Sequence, residues 1–558
     1  MVTRVLNLFY REIRGLHQAA YILALFALAS QVLAVVRDRL LAHQFGAGAE
    51  LDIYYAAFRI PDLLYVLFAS VLSVYVLLPF VARARQSSDA TAAVILGQMC
   101  TLFLVMYSGM ALLMLMAAPY LASWLFPGFT STALNEVVVV MRILLLQPLF
   151  LGLSSLVGVV TQIQHRFIIF ALSPLVYNIG IILGATVLFD WFGLAGLAYG
   201  VVLGALGHVA IQLPLVRSST LAFRPMFTMN WNIIREIATV AVPRALTLSL
   251  GQIQLLILAA LASTMTVGSV AVLQFAGNLQ SVPLAIIGMS YSVAAFPTLA
   301  EMLAQKKNLE FNAYVTTAIR HIIFWSVPVV ALVIVLRAQI VRVLLGSGSF
   351  DWADTRLTAA ALALFVVSLA AQALILLLVR AFYAGGWTKI PFILTFIGVM
   401  SGSAAACLLS WWFAASPAAV DFFATLFRLR DVAGIEVLML PLGFTIGTMV
   451  EVVLMLGMVS RTFALSLRSV GWHFLQSLLA ATIGGVVAYL TLMFVVEGVN
   501  QDRFMGIFMQ GGVAGMVGVI GVVVAYRIQG SPELHEIYMA CRSRIFKTDV
   551  VAPQPDVL

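Results

Sequence analysis

Six charged residues crowd into one stretch, RDRLLAHQFGAGAELDIYYAAFRIPDLL, at residues 37–64: Arg37, Asp38, Arg39, Asp52, Arg59 and Asp62. They stand at the junction of two apolar segments. A charge at the centre of a bilayer costs at least ~2.5–3.5 kcal/mol on insertion scales, so such residues face a polar cavity or a water interface. Arginine's planar fork suits phosphate and carboxylate groups through paired, charge-assisted hydrogen bonds. Arg37, Arg39 and Arg59 could therefore form an anion receptor. At helical spacing Asp52 and Arg59 share a face, and Arg59 can meet Asp62 three positions on. The two carboxylates then serve to orient the arginines. The bland alternative is that these charges pair with one another, cap helices and anchor an interface. Gly46 and Gly48 suit the turn between the segments.

Other candidates are scattered. Lys389 opens a later apolar segment, where it either snorkels to the interface or recruits phosphate. Glu451 is the one acid well inside a late apolar segment, and serves either ion coupling or a protonated packing role. Gln31, Gln147, Asn178, Gln252, Gln254, Gln274 and Asn278 are polar groups within apolar segments. They either line a cavity for sugar and peptide groups or bond one helix to another. His208 reads as structural. Cys100, Cys407 and Cys541 fit no metal or redox spacing. There is no phosphate-binding glycine loop, HExxH or GxSxG, so the expectation is a transporter rather than an enzyme, with no cofactor, no metal and no catalytic residue.

The surrounding elements must be membrane helices. The chain has 558 residues, 63% hydrophobic and 10% charged, against about 25% charged in soluble domains. Fourteen apolar segments are expected, near 17–36, 52–82, 90–118, 136–162, 168–189, 194–216, 240–263, 271–298, 315–337, 356–380, 390–413, 436–458, 472–495 and 505–526. Twenty of the 31 lysines and arginines fall on one side of this alternation. The positive-inside rule then makes both termini cytoplasmic and puts the 37–64 cluster toward the outer side. The net charge of +8 fits cytoplasmic loops and anionic membrane lipids rather than nucleic acid. Residues 1–16 read as an interfacial segment that is retained, and 528–558 as a basic amphipathic cytoplasmic tail with Leu534, Ile537, Tyr538, Cys541 and Ile545 on one face.

A weak internal repeat organises the segments. Gly200, Gly204 and His208 match Gly443, Gly447 and Glu451 at equal spacing. The turns at His165–Phe170 and Gly386–Pro391 are also alike, and Pro61/Pro79 in the second segment parallel Pro283/Pro297 in the eighth. The expected fold is an all-α integral membrane protein with 14 transmembrane helices. Two pseudo-symmetric six-helix lobes, 17–217 and 218–461, are followed by two extra helices at 462–527. Transporters built this way place substrate between the repeats.

Arg37-Asp38, Phe45-Gly46-Ala47-Gly48, Asp52 and Ala57-Phe58-Arg59-Ile60-Pro61-Asp62-Leu63-Leu64 resemble the MurJ/MviN family of lipid II flippases. This family lies within the multidrug/oligosaccharidyl-lipid/polysaccharide exporter superfamily. Arg380–Pro391 and Gly196–Gly200 are similar to two further stretches of that family. The resemblance implies fourteen helices around a central cavity and export of an undecaprenyl-diphosphate-linked peptidoglycan precursor across the bacterial inner membrane. The partners implied are that lipid-linked diphosphate glycan, membrane lipids and cell-wall synthesis proteins. Arg37, Asp52, Arg59 and Lys389 match charged positions of the family. The sequence departs from the pattern at Gln31, Tyr65-Val66, Ser70-Val71 and Asn278. Basic residues are expected at Gln31, Tyr65-Val66 and Asn278, and an acidic-glycine step at Ser70-Val71. The departures leave Arg37 and Arg59 to carry most of any diphosphate recognition. They also keep three alternatives open: export of another lipid-linked oligosaccharide, drug/cation antiport, or a membrane scaffold that does not transport.

Overall fold

The computed structural model describes residues 16–217, 219–465, 467–496 and 504–546, and every regular element among them is helical. Residues 1–15, which hold most of the expected interfacial segment, lie outside the described residues, as do Arg503 and Lys547. Each of the fourteen expected segments is mostly helical where described, with breaks inside the second, fourth, sixth and tenth. The helices overrun most of the apolar cores by a turn or more, because polar flanking residues continue the hydrogen-bond ladder into the interface.

The charged junction joins α1 (Leu16–Phe45) to α2 (Ala49–Ala69). Gly46 makes the reversal at φ +62°, and a side chain there would meet the Ser349 carbonyl at 2.7 Å. The second expected segment is two helices, since the chain breaks after α2 and resumes as α3 (Val74–Ser87). Then come α4 (Asp89–Leu125), α5 (Ser131–Leu144) and α6 (Leu146–Ile163). The break between α5 and α6 has a cause. Pro148 offers no N–H and its ring crowds the carbonyl four residues back, at Leu144. Next are α7 (Phe167–Phe192), α8 (Leu194–Arg217), α9 (Trp231–Ser263), α10 (Ser269–Ala304) and α11 (Asn308–Leu344). In α10 the ladder widens to a π segment at Ala285–Met289, just after Pro283 removes a donor.

α12 (Trp352–Val367) and α13 (Leu369–Ala384) form one path bent by 42°. At the bend the Phe365 carbonyl takes Ser368 Oγ at 2.6 Å and Gln280 Nε2 of α10 at 2.9 Å, and Gln280 also donates to Ser368 Oγ at 3.2 Å. The chain closes with α14 (Lys389–Ala415), α15 (Pro417–Phe427), α16 (Ile435–Phe463), α17 (Leu467–Val496), α18 (Phe504–Ile528) and α19 (Pro532–Phe546). Among the described residues, eleven helices are long and apolar enough to cross a membrane, or twelve with the bent pair. α2 stands apart because Glu50, Asp52, Arg59 and Asp62 fall within its 21 residues. Exposed apolar side chains such as Val105, Leu112 and Met116 on α4 read as lipid-facing.

The chain groups into two compact units. One runs to Leu279 and adds Leu344–Ala361 and Thr388–Glu451; the other holds Gln280–Val343, Leu362–Trp387 and the chain from Val452. Within the first, two glycine seams behave alike. A Cβ on Gly200 would lie 2.3 Å from Gly184 Cα between α8 and α7, and one on Gly447 would lie 2.5 Å from Gly402 Cα between α16 and α14. Small residues four apart let helix backbones touch. The repeated spacing in the sequence thus does the same packing work twice. The two matching turns also share a device, a left-handed residue at His165 (φ 56°) and at Gly386 (φ 78°).

Candidate functional site: a buried network of arginines, carboxylates and amides

Arg37 lies near the C-terminal end of α1. Its Nε and Nη2 donate to Asp38 Oδ1 at 2.9 and 2.8 Å. Adjacent residues on a helix do not normally face each other, so this long side chain folds back to reach its neighbour. Arg37 Nη1 donates to Asn178 Oδ1 of α7 at 3.1 Å. The Asn178 amide in turn donates to the Pro174 carbonyl at 3.0 Å, which fixes its oxygen toward the guanidinium.

Asp38 is buried and uses its other oxygen. Asn278 Nδ2 of α10 donates to Asp38 Oδ2 at 2.9 Å. Gln274 Nε2 donates to Asn278 Oδ1 at 2.7 Å, and Arg59 Nη2 of α2 donates to Gln274 Oε1 at 2.8 Å. The bonds run in one direction from Arg59 through two amides to Asp38, and Arg37 closes on the same carboxylate. Each amide gives with its nitrogen and takes with its oxygen, so no polar atom is reversed. Hydrogen bonds to charged groups contribute ~1.5–3 kcal/mol each when one partner is removed. Asp62, one turn beyond Arg59, bonds the side chain of Gln147 on α6. Arg59 Nε remains buried without a hydrogen-bond partner. Tyr54 and Tyr55, buried on α2, wall the site, and Tyr55 packs edge-on to Phe275.

Asp52 does something else. It is buried, and its two oxygens accept from Gly268 N at 2.6 Å and Ala271 N at 2.8 Å. It therefore caps the first turn of α10, where free N–H groups and the helix dipole favour a carboxylate. The shared face with Arg59 is not used for a hydrogen bond or ion pair among the described residues. The same junction is tied down elsewhere. Ala47 N donates to Asp354 Oδ2 at 3.1 Å and Ser349 N to the His43 carbonyl at 2.8 Å.

The remaining candidates separate from this network. Arg39 is half-buried on α1, and Gln31 lies half-buried two turns earlier. Lys389 is exposed at the first position of α14, and no hydrogen bond or ion pair joins it to the network among the described residues. Glu451 is buried on α16 and accepts from Thr395 Oγ1 of α14 at 2.6 Å. Its carboxyl lies against Gly398, where a Cβ would come within 2.8 Å of Oε2. Gln254 of α9 is buried against Gly402, and Gln252 is half-buried. His208 is held by Ser154 Oγ at 2.6 Å, a structural contact.

Sequence reasoning undervalued Asp38, the hub, because it stands next to Arg37 and the helix rule turns neighbours apart. It also treated Gln274, Asn178 and Gln147 as interchangeable mid-helix polar groups. The one usable signal was the i, i+4 spacing of Gln274 and Asn278.

Comparison with known proteins identifies the family. The family model for the lipid II flippase MurJ matches residues 41–420. A probable lipid II flippase MurJ of Rhizobium tropici is 28% identical over 397 residues, covering 68% of this chain and 73% of its own. One from Haemophilus influenzae is 27% identical over 395 residues, covering 67% and 77%. A solved structure of the lipid II flippase MurJ in an inward closed conformation superposes with a TM-score of 0.70 at 20% identity, covering 91% of this chain and 99% of that one. An inward-facing multidrug resistance transporter of the MATE family gives 0.63 at 15% identity, covering 78% and 94%, which marks the wider fold. With its model matched over more than half the sequence, and the charged junction falling within the match save for Arg37, Asp38 and Arg39, the chain belongs to the MurJ family of lipid II flippases.

Proposed function

We propose that this protein moves lipid II, a polyprenyl-diphosphate-linked glycan, from the inner to the outer leaflet by alternating access. The carrying observation is the Arg37–Asp38–Asn278–Gln274–Arg59 network in a chain of this family. Both arginines bond neutral amides that a diphosphate can replace. Phosphate oxygens accept shorter and stronger bonds from a guanidinium than amide oxygens do. Asp38 keeps Arg37 oriented during the exchange, and Arg59 Nε supplies a donor not otherwise used. Until cargo arrives each arginine gives one guanidinium nitrogen to an amide oxygen in apolar surroundings.

In this reading the fourteen segments span the inner membrane as two six-helix lobes, 17–217 and 218–461, with 462–527 appended and both termini cytoplasmic. The α1–α2 junction then lies toward the outer side. Asp52 on the first turn of α10 holds that side shut, and its release accompanies opening outward. Lys389 and Arg39 meet headgroups before and after the cavity, while Asp62 steadies Arg59.

The test is complementation of a flippase-depleted bacterium, read as lipid II exposed at the outer surface. Wild type restores exposure and Arg37→Ala does not. Equal rescue by both would sink the assignment of the site. Glu451 supports a second reading, ion-driven antiport on the same fold, because it is a buried acid whose one hydrogen bond among the described residues is to a hydroxyl. That reading predicts cation uptake by vesicles that Glu451→Gln abolishes.

A further inference from the structure

The tail is more than an interfacial helix. Gly530, at φ +65°, reverses the chain after α18, and Pro532 opens α19. Glu533, on the first turn of α19, then enters a niche made by α11 and α17, and Glu536 lies exposed at its edge. Glu533 is only 3% exposed. Its Oε1 takes Arg320 Nε at 2.8 Å and Nη2 at 2.6 Å, and His473 Nδ1 lies 3.4 Å away. Ser531 Oγ donates to Glu533 Oε2 at 2.7 Å. Glu536 Oε2 lies 2.9 Å from His321 Nε2, and the His321 ring stacks on Tyr291 of α10. Leu534 and Ile537 pack on Phe324, Ala480, Val522, Ala525 and Tyr526.

Arg320 of α11 and His473 of α17 meet on Glu533, and His321, next to Arg320 on α11, meets Glu536 at the exposed edge; both acids belong to the tail. His321 Nδ1 is buried without a hydrogen-bond partner. A guanidinium flanked by imidazole donors is the chemistry that binds phosphate. The niche is built for an anion, and α19 supplies one in the form of a carboxylate.

We propose that Arg320, His321 and His473 form a phosphate-binding niche, separate from the α1–α2 network, which α19 occupies as a tethered plug. The ligand it excludes is a phosphate group, carried either by an anionic lipid headgroup or by a free phosphate. When α19 lifts, that group takes the place of Glu533 on Arg320. The inference does not depend on what the protein transports.

The experiment uses the full-length purified chain. Wild type is compared with Glu533→Gln/Glu536→Gln, which removes the competing charges, and with Leu534→Ser/Ile537→Ser, which weakens docking of α19. Retained phosphatidylglycerol against phosphatidylcholine is read by native mass spectrometry, and inorganic pyrophosphate binding by calorimetry. Both double variants should raise occupancy by ~tenfold, the scale of one charge-assisted hydrogen bond, and Arg320→Gln in either background should remove the gain. A gain with phosphatidylglycerol alone identifies a lipid headgroup, and a gain with pyrophosphate alone a soluble phosphate. No gain in either variant, or a gain that survives Arg320→Gln, overturns the proposal.

Discussion

Arg59 and Asp52 lie on one face of α2 and have entirely different work. Arg59 bonds Gln274 from a buried position. Replacing Gln274 by Leu removes that acceptor, so the expected cost is ~1.5–3 kcal/mol, read as a lowered unfolding temperature of the purified protein. An unchanged temperature would mean that Arg59 finds another partner. Asp52 caps α10, and Asp52→Ala should cost about 0.5–2 kcal/mol, the range for loss of a helix cap. Asn keeps one acceptor at that position, so Asp52→Asn should retain part of the stability by the same measurement. Neither partnership follows from the spacing of Asp52 and Arg59 along α2. Each is decided by which residues of α10 arrive opposite.

At the scale of elements, the glycine seams decide which helices touch. Gly204 meets the Tyr177 backbone, with a would-be Cβ at 2.5 Å from its carbonyl, and Gly447 meets Gly402. Gly204→Val and Gly447→Val should each destabilise by at least ~1–3 kcal/mol, the cost of overpacking, and by similar amounts if the seams are equivalent. Thermal unfolding and yield from membranes check this, and a neutral outcome at either seam would refute close backbone packing there. The tail helix makes its own prediction. Burial penalises the Glu533 charge, but Ser531, its own backbone N–H and Arg320 outweigh that and hold its carboxyl below the usual glutamate range. A depressed carboxylate stabilises the docked tail above its ordinary titration range, and the contribution is lost as pH falls through the lowered value. Hydrogen exchange over residues 532–546 should therefore stay slow at neutral pH and rise under acid. Protection that is indifferent to acid would show the ion pair to be unimportant.

At the scale of the whole molecule, the proposed orientation is tested by labelling. In a cysteine-free background, Ser349→Cys should react with an impermeant maleimide added to intact cells, and Lys306→Cys only after lysis. The reverse pattern would overturn the proposed placement of the termini and of the α1–α2 junction. Much of this architecture was legible in the sequence. Long apolar runs must be helical in a bilayer, because backbone groups find no water there, and the fourteen expected segments are mostly helical where described. Local punctuation was legible as well, since Gly46 turns the chain where a left-handed residue is needed. The motif at residues 37–64 pointed to the family that the family model matches. What it could not assign was partners. Asn178 stands 141 positions from Arg37, Asn278 stands 240 from Asp38, and Gln274 stands 215 from Arg59. Helical periodicity sets which face a side chain occupies, but nothing in it says which distant helix packs on that face. The sequence by itself determined a membrane-embedded set of helices with a costly charged junction. Only the tertiary structure decided that Arg37, Asp38 and Arg59 bond amides of α7 and α10, and that Asp52 caps the start of α10.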